Sequence, residues 1–217
     1  MVYWLSTVPV LEYLANVVPL DGDINLIRAV DESPDGGIDP NSVWAGRKVN
    51  TEHFPTRMRW EGPSDASMIG DFNQSNLLNV SERAKTIIKR LEPGVHQFVP
   101  VEFVDRDGNH LADRYFWVIG NRLDSVDRQH SNYVLLGGRM WRTAKNVAES
   151  FPEHLPADAD PSAEPRLCFN RNQLGQAEVW RDKYFDTGGP LVSEAFAAAL
   201  RAAKLTGFSL AEAGGLR

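Results

Sequence analysis

The sequence predicts an α+β fold: mostly antiparallel sheet packed by a few amphipathic helices. Three observations lead there. Two β-prone runs, "HQFVPVEFV" and "LADRYFWVI", flank "DRDGN", whose Asp107-Gly108 is a favoured two-residue turn, so they read as a hairpin. Two stretches far apart in the chain, "LNVSERAKTIIKRLEPG" and "LVSEAFAAALRAAKLTG", each read as a serine-capped helix. With 217 residues, 42% hydrophobic and 24% charged, the chain can bury a sizeable core. It is read as one domain over residues 1–217.

Each element has a local reason. "VYWLST" is rich in aromatic and β-branched residues and predicts an N-terminal strand. The opening twenty residues are apolar, but they lack a basic segment and contain Pro9 and Glu12, which argues against a signal peptide. "DESPDGGIDPNS" at 31–42 predicts a loop. In "FPTRMRWEGP", Met58 and Trp60 alternate with Arg57, Arg59 and Glu61, the pattern of a short half-buried strand.

In the first helix, Ser81 is the N-cap and Glu82 places negative charge in the first turn. Ala84, Ile87, Ile88 and Leu91 form one apolar stripe, and Pro93-Gly94 stops the helix. A tight turn at Asp107-Gly108 would set Glu102 opposite Asp113. A slip of one residue would set it opposite Arg114 instead, so a longer or bulged turn is expected. Four prolines in "FPEHLPADADPSAEP" predict an exposed connector over 151–165. "RLCFN" and "AEVWRDKYF" then read as strands. The second helix starts at Ser193, with Phe196, Ala199, Leu200 and Ala203 as its stripe and Gly207 as its stop. Shared capping chemistry accounts for the likeness of the two helices without a duplication.

The net charge is −6, and it is unevenly placed. Six acids and one base lie between Asp21 and Asp39, and five acids with no base between Glu149 and Glu164, leaving the rest of the chain net basic. These segments read either as solvated loops or as an acidic surface facing a basic partner. An isoelectric point near 5.4 argues against direct nucleic-acid binding. No apolar run is long enough for a membrane span. Cys168 is the only cysteine, so no internal disulfide or cysteine-based zinc cluster can form, and the cytoplasm is the expected compartment.

A catalytic constellation does not emerge. No histidine pair has metal-ligand spacing; His96 and His110 could meet across the hairpin, though strand-packing roles suit them better. Cys168, flanked by Leu167 and Phe169, suits a buried, inert thiol. Asp124 and Asp127, in "NRLDSVDRQHS", are the best candidates for acid–base or metal-assisted chemistry. Their competing reading is a capped turn with an ion pair to Arg122 or Arg128. No catalytic residue, metal or cofactor is therefore assigned.

The order of the pieces carries more. "GDFNQSNLLNVSERAKTIIKRL" is followed by "FVPVEFVDRDG", by "RYFWVIGNRLDSVDRQHS", by a long variable stretch, and by "LVSEAFAAALRAAKLTGFSL". This resembles a family of bacterial immunity proteins from polymorphic-toxin systems, first catalogued as a domain of unknown function. Its members have an Asp-Phe before a Val-Ser-Glu helix, here Asp71-Phe72 and Val80 to Leu91. A Pro-containing strand (Phe98 to Phe103), an aromatic strand running into Leu-Asp-x-x-Asp (Tyr115 to Asp127) and a closing Ser-Glu helix (Val192 to Leu210) follow. The likeness spans roughly residues 68–210 and covers residues 1–67 poorly.

The resemblance implies a non-enzymatic inhibitor that binds a toxin encoded beside it and occludes its active site. Such toxins are often nucleases and are often delivered by type VI secretion. Contact residues follow the particular toxin. The acidic segments are the expected contact surface, through Asp31, Glu32, Asp35, Asp39, Glu153, Asp158, Asp160 and Glu164. The alternatives are a small metal-assisted hydrolase using Asp124 and Asp127, and a non-catalytic adaptor domain.

Overall fold

Alternating apolar and polar residues organise the strands, and capping serines organise the helices. The computed structural model describes residues 1–11, 15–27, 42–74, 77–185 and 189–217. Asp31, Glu32, Asp35 and Asp39, and with them all but Ser42 of the predicted 31–42 loop, lie outside the described residues. The chain begins with β1 (Val2–Thr7), β2 (Val17–Pro19), β3 (Arg57–Trp60) and β4 (Phe72–Gln74). Next, β5 (Leu78–Ser81) runs directly into α1 (Glu82–Leu91), followed by β6 (Gln97–Val104), β7 (His110–Val118) and the short β8 (Arg122–Leu123). A second hairpin, β9 (Tyr133–Leu136) and β10 (Met140–Thr143), leads into α2 (Ala144–Ser150). Last come β11 (Cys168–Phe169), α3 (Arg171–Leu174), β12 (Val179–Asp182), β13 (Leu191–Ser193), α4 (Glu194–Ala202) and β14 (Phe208–Leu216).

The fold is α+β. One six-stranded sheet has the order β2-β3-β6-β7-β5-β4 and a second β11-β14-β1-β13-β12-β8, with β9 and β10 apart as a two-stranded hairpin. Most neighbours are antiparallel; β3–β6, β8–β12 and β11–β14 are parallel. Strand alternation divides the central strands between cores. On β7, Phe116 and Val118 face one core while Trp117 and the following Ile119 face another. On β12 and β13, Val179 and Val192 face that same second core, and Trp180 and Leu191 turn to a third. The second core is shared: α1 and α4 both bury their stripes in it, between the two sheets.

The two serine-capped stretches are two copies of one corner. Ser81 and Ser193 adopt nearly the same backbone (φ −71°, ψ 166° and φ −72°, ψ 166°), each ending a strand and capping the helix that follows. Each hydroxyl accepts from the N–H three residues on, Ala84 or Phe196. Each also donates to a carboxylate on a neighbouring segment, Asp71 for Ser81 and Glu178 for Ser193. The strand half of each corner is absent from the sequence reading, which placed Val80 and Val192 in the helices. α4 also ends earlier than expected. Lys204 takes the left-handed conformation (φ 50°), and Lys204 and Leu205 donate to the carbonyls of Arg201 and Leu200. Buried Leu205 thereby packs with Leu200, the usual hydrophobic partner of this cap. Gly207 does something else: a Cβ there would lie 2.1 Å from the Phe72 carbonyl oxygen, so glycine permits the backbone crossing between the two sheets. The sequence after it, included in the closing-helix motif of the family resemblance, is strand β14.

The hairpin turn is longer and bulged, as expected, yet the register differs. Val104 pairs with His110 and Phe103 with Ala112, so the bulge absorbs the extra loop residue and Glu102 still stands opposite Asp113. The like charges are separated sideways. Glu102 bonds Arg57 of β3 at 2.9 Å, and Asp113 stays exposed beside His110. Arg114 is unavailable to Glu102, because its buried guanidinium donates to Asn79 (3.0 Å) and to the Gly70 carbonyl (2.6 Å). His96 and His110 cannot meet: they flank opposite ends of the hairpin, on the order of 20 Å apart along eight-residue β6.

A buried carboxylate ties the halves together. Glu92, just past α1, accepts from His96 Nε2 (2.6 Å), Asn121 Nδ2 (2.9 Å), and the N–H groups of Glu178 (3.0 Å) and Val179 (3.1 Å). His96 Nδ1 in turn accepts from the Gly120 N–H, so Nε2 holds the proton that reaches Glu92. Replacing Glu92 with Gln turns one acceptor into a donor facing donors. We expect Glu92→Gln to lower unfolding stability by about 2–3 kcal/mol in chemical denaturation.

Candidate functional site

The acidic connector is a built surface. Thr143 caps α2 by accepting from the Asn146 N–H, and Ala144 and Val147 turn inward onto Val134, Leu136, Leu155 and Ala159. This small core fixes both α2 and the residues after it. Phe151 ends the helix with its N–H on the Val147 carbonyl, and its ring stays 39% exposed. Tight turns follow at Pro156–Ala159 and Asp160–Ala163, each closed by a backbone hydrogen bond. The far end is pinned by Asn132, whose Nδ2 donates to the Glu164 carbonyl and whose Oδ1 accepts from the Arg166 N–H.

Glu153, Asp158, Asp160 and Glu164 are all exposed. Asp160 is held below the usual carboxylate range by hydrogen bonds from the Ser162 hydroxyl and N–H. Among the described residues, the only ion pairs here are Glu153 with His154 at 3.6 Å and Glu149 with Lys145 at 4.0 Å. The connector thus carries one exposed aromatic residue, Phe151, and four exposed carboxylates that pair with no lysine or arginine among the described residues.

The carboxylates with a possible catalytic role make local contacts, although Asp124 Oδ1 is buried without a partner among the described residues. Asp127 accepts from the N–H groups of Gln129 and His130 and from His130 Nδ1 at 2.9 Å. The His130 contact, chief among these, lowers its pKa. Asp124 pairs with Arg128 at 2.8 Å. This is the capped, ion-paired turn that competed with catalysis in the sequence. Among the described residues, no three or more His, Cys, Asp or Glu side chains gather where they could hold a metal. No helix among them is long and apolar enough to cross a membrane. Cys168 is buried in β11.

The sequence reading passed over the buried polar groups near by. Asp182 lies on β12, and its carboxylate accepts from Ser125 Oγ (2.6 Å), Ser125 N–H (2.9 Å) and Tyr184 N–H (2.8 Å). Ser125 Oγ in turn accepts from the Trp180 indole at 3.0 Å. Burial raises the Asp182 pKa, with a smaller push from Asp124. A raised acid in a cleft would suggest proton transfer, but this one is enclosed and spent on local structure. Folding therefore favours its neutral form. That contribution is complete below about pH 4, the unfolded value, and is lost as pH rises through the raised folded-state value. Asp182→Asn should consequently lose less stability than the wild type between pH 4 and 7, as read from urea midpoints across that range.

The two strand–helix corners fall at the two serine-capped helices of the motif order read from the sequence. Comparison with curated proteins gives no match. The family comparison does: the model of the immunity protein family (Imm11) matches residues 28–215, beginning well before residue 68, where the sequence likeness was placed. The chain belongs to the Imm11 immunity protein family, and an immunity function follows from that membership.

Proposed function

We propose that the chain, acting as one domain, binds a cognate toxin encoded beside it and neutralises that toxin by covering its active site. The family match over residues 28–215 carries the reading. Binding is stoichiometric inhibition rather than catalysis. The contact surface is the segment after α2: Glu153, Asp158, Asp160 and Glu164 around Phe151, joined by the acids of the 31–39 segment. Charge supports a partner with a basic site, as in a nuclease whose active site receives phosphates, delivered by a contact-dependent route such as type VI secretion. Carboxylates would take the place of the phosphates and also speed encounter.

Reversing all four connector acids to lysine tests this, because the side chains are exposed and hold little of the fold together. We expect the Kd for the toxin encoded by the adjacent gene to rise at least about tenfold, with its salt dependence reduced. The protein's melting temperature should stay close to that of the wild type. Asp124→Ala and Asp127→Ala separate inhibition from hydrolysis. Folded variants should still protect cells from the toxin, whereas a hydrolase would lose its effect in both. Wild-type protein that neither co-purifies with that toxin nor restores growth against it would end the immunity reading.

A further inference from the structure

A cleft between the two sheets holds a cation with no counter-charge among the described residues. Arg181 lies on β12, facing away from its neighbour Asp182, whose carboxylate is committed to Ser125 and Tyr184. Its guanidinium stacks on Trp44, with Cζ 4.0 Å from the ring centroid. The residue as a whole is only half-buried, but Nε is sealed from solvent and has no hydrogen-bond acceptor. No described carboxylate forms an ion pair with Arg181. Burial pushes its pKa down to about 9, which leaves it charged at neutral pH.

Trp117, which also lines the cleft, carries a second donor without a hydrogen-bond acceptor among the described residues, its indole Nε1–H. The residue lies on β7 and is 4% exposed. Its ring is held by the ring of His96, edge-on at 5.5 Å, and by Phe196, stacked at 6.3 Å, so the indole has little freedom to seek a partner elsewhere. The cleft has a volume of about 50 Å³, and Trp44, Gln74, Leu77, Trp117, Ile119 and Arg181 help to line it. Gln74, at the end of β4, is exposed at the margin.

An anion in the cleft would meet the Arg181 cation, and a carboxylate fits the planar fork of a guanidinium. The volume exceeds the roughly 10–15 Å³ that one water needs, but it is small for a nucleotide or a sugar. It suits the end of a side chain, with the apolar walls of Leu77, Ile119 and Trp44 beside its methylenes. We propose that this cleft receives a carboxylate side chain, Asp or Glu, of the bound partner protein. The proposal rests on the immunity reading and adds a positive socket to its acidic surface.

Two measurements decide it. In the free protein, sodium acetate serves as the probe, with sodium chloride at equal ionic strength as control. The Trp117 indole N–H resonance, assigned by its loss in Trp117→Phe, should shift saturably with acetate and not with chloride, and Arg181→Met should abolish that shift. No shift with acetate, or a shift that persists in Arg181→Met, overturns the proposal. In the complex with the adjacently encoded toxin, Arg181→Met should raise Kd by about tenfold or more, while Arg181→Lys, which keeps the charge but not the fork, falls between. Removing an unmatched buried cation should leave the melting temperature at or above that of the wild type. Unchanged toxin affinity in Arg181→Met would mean that the cleft holds only a free small anion, and would also overturn the proposal. If the wild type fails to bind the toxin at all, the immunity reading falls, while the acetate titration still reports the chemistry of the cleft.

Discussion

The structure turns on carboxylates that reach from one sheet to the backbone of the other. Glu92 is the clearest. It leaves the end of α1, takes a proton-bearing nitrogen from His96, and accepts the N–H groups of Glu178 and Val179 at the start of β12. Asp71 does the same at the other end of the shared core, accepting from the Thr206 N–H and hydroxyl beyond α4 and from Ser81 Oγ. Each carboxylate thereby reaches backbone N–H groups of the other sheet's segments. The hydrophobic effect brings two apolar faces together without specifying their relative position. Directed bonds to named backbone amides specify it, and a buried carboxylate makes them strong while penalising every alternative that leaves it unpaired.

Fixing the sheets in this way explains both the repeated corner and the cleft. The Ser81 and Ser193 corners feed α1 and α4 into the same core, where Ala84, Ile88, Phe196 and Leu200 are fully buried. A helix-capping serine that also donates to a carboxylate does two jobs at one atom, which is why the same short sequence serves at both sites. The cleft beside Arg181 follows from the same geometry. Trp117 is held by His96, itself held by Glu92, so its indole edge is aimed by the network that joins the sheets.

The legible parts of this fold were local ones. The N-caps at Ser81 and Ser193, the stripe of α1, the half-buried strand of Met58 and Trp60 and the exposed Pro-rich connector each depend on residues within one turn or a few positions. What stayed hidden depends on distant partners. The strand half of each corner is too short to show a period, and β14, rich in Gly and Ala, shows no alternation that would mark it as a strand. The Glu102 register was misjudged because Arg57 of a parallel neighbour, not Arg114, neutralises it. Asp182, Glu92 and Arg181 carry no spacing signal: an isolated charged residue looks the same whether buried or solvated. The acidic connector was legible as surface through its prolines and charge. Its exposed Phe151 lies within the same quoted segment but drew no notice, since a single aromatic in a loop has no periodicity to mark it.

The placement of these groups separates what holds the protein from what it can offer a partner. The connector acids make no ion pair across the fold, and the connector is anchored instead by backbone turns, by Asn132 and by a small apolar core under α2. Their side chains can be exchanged with little loss of stability, because exposed charges contribute little to folding. The groups that bridge the sheets have no such freedom, since each satisfies several buried partners at once. Arg181 stands between the two classes. It is half-buried, and unlike Arg114, which spends its guanidinium on Asn79 and Gly70, its guanidinium has only the face of Trp44 among the described residues. A fold that commits Glu92, Asp71 and Arg114 to named partners leaves the Arg181 guanidinium without an ion pair, and a carboxylate arriving from outside is the chemistry that would supply one.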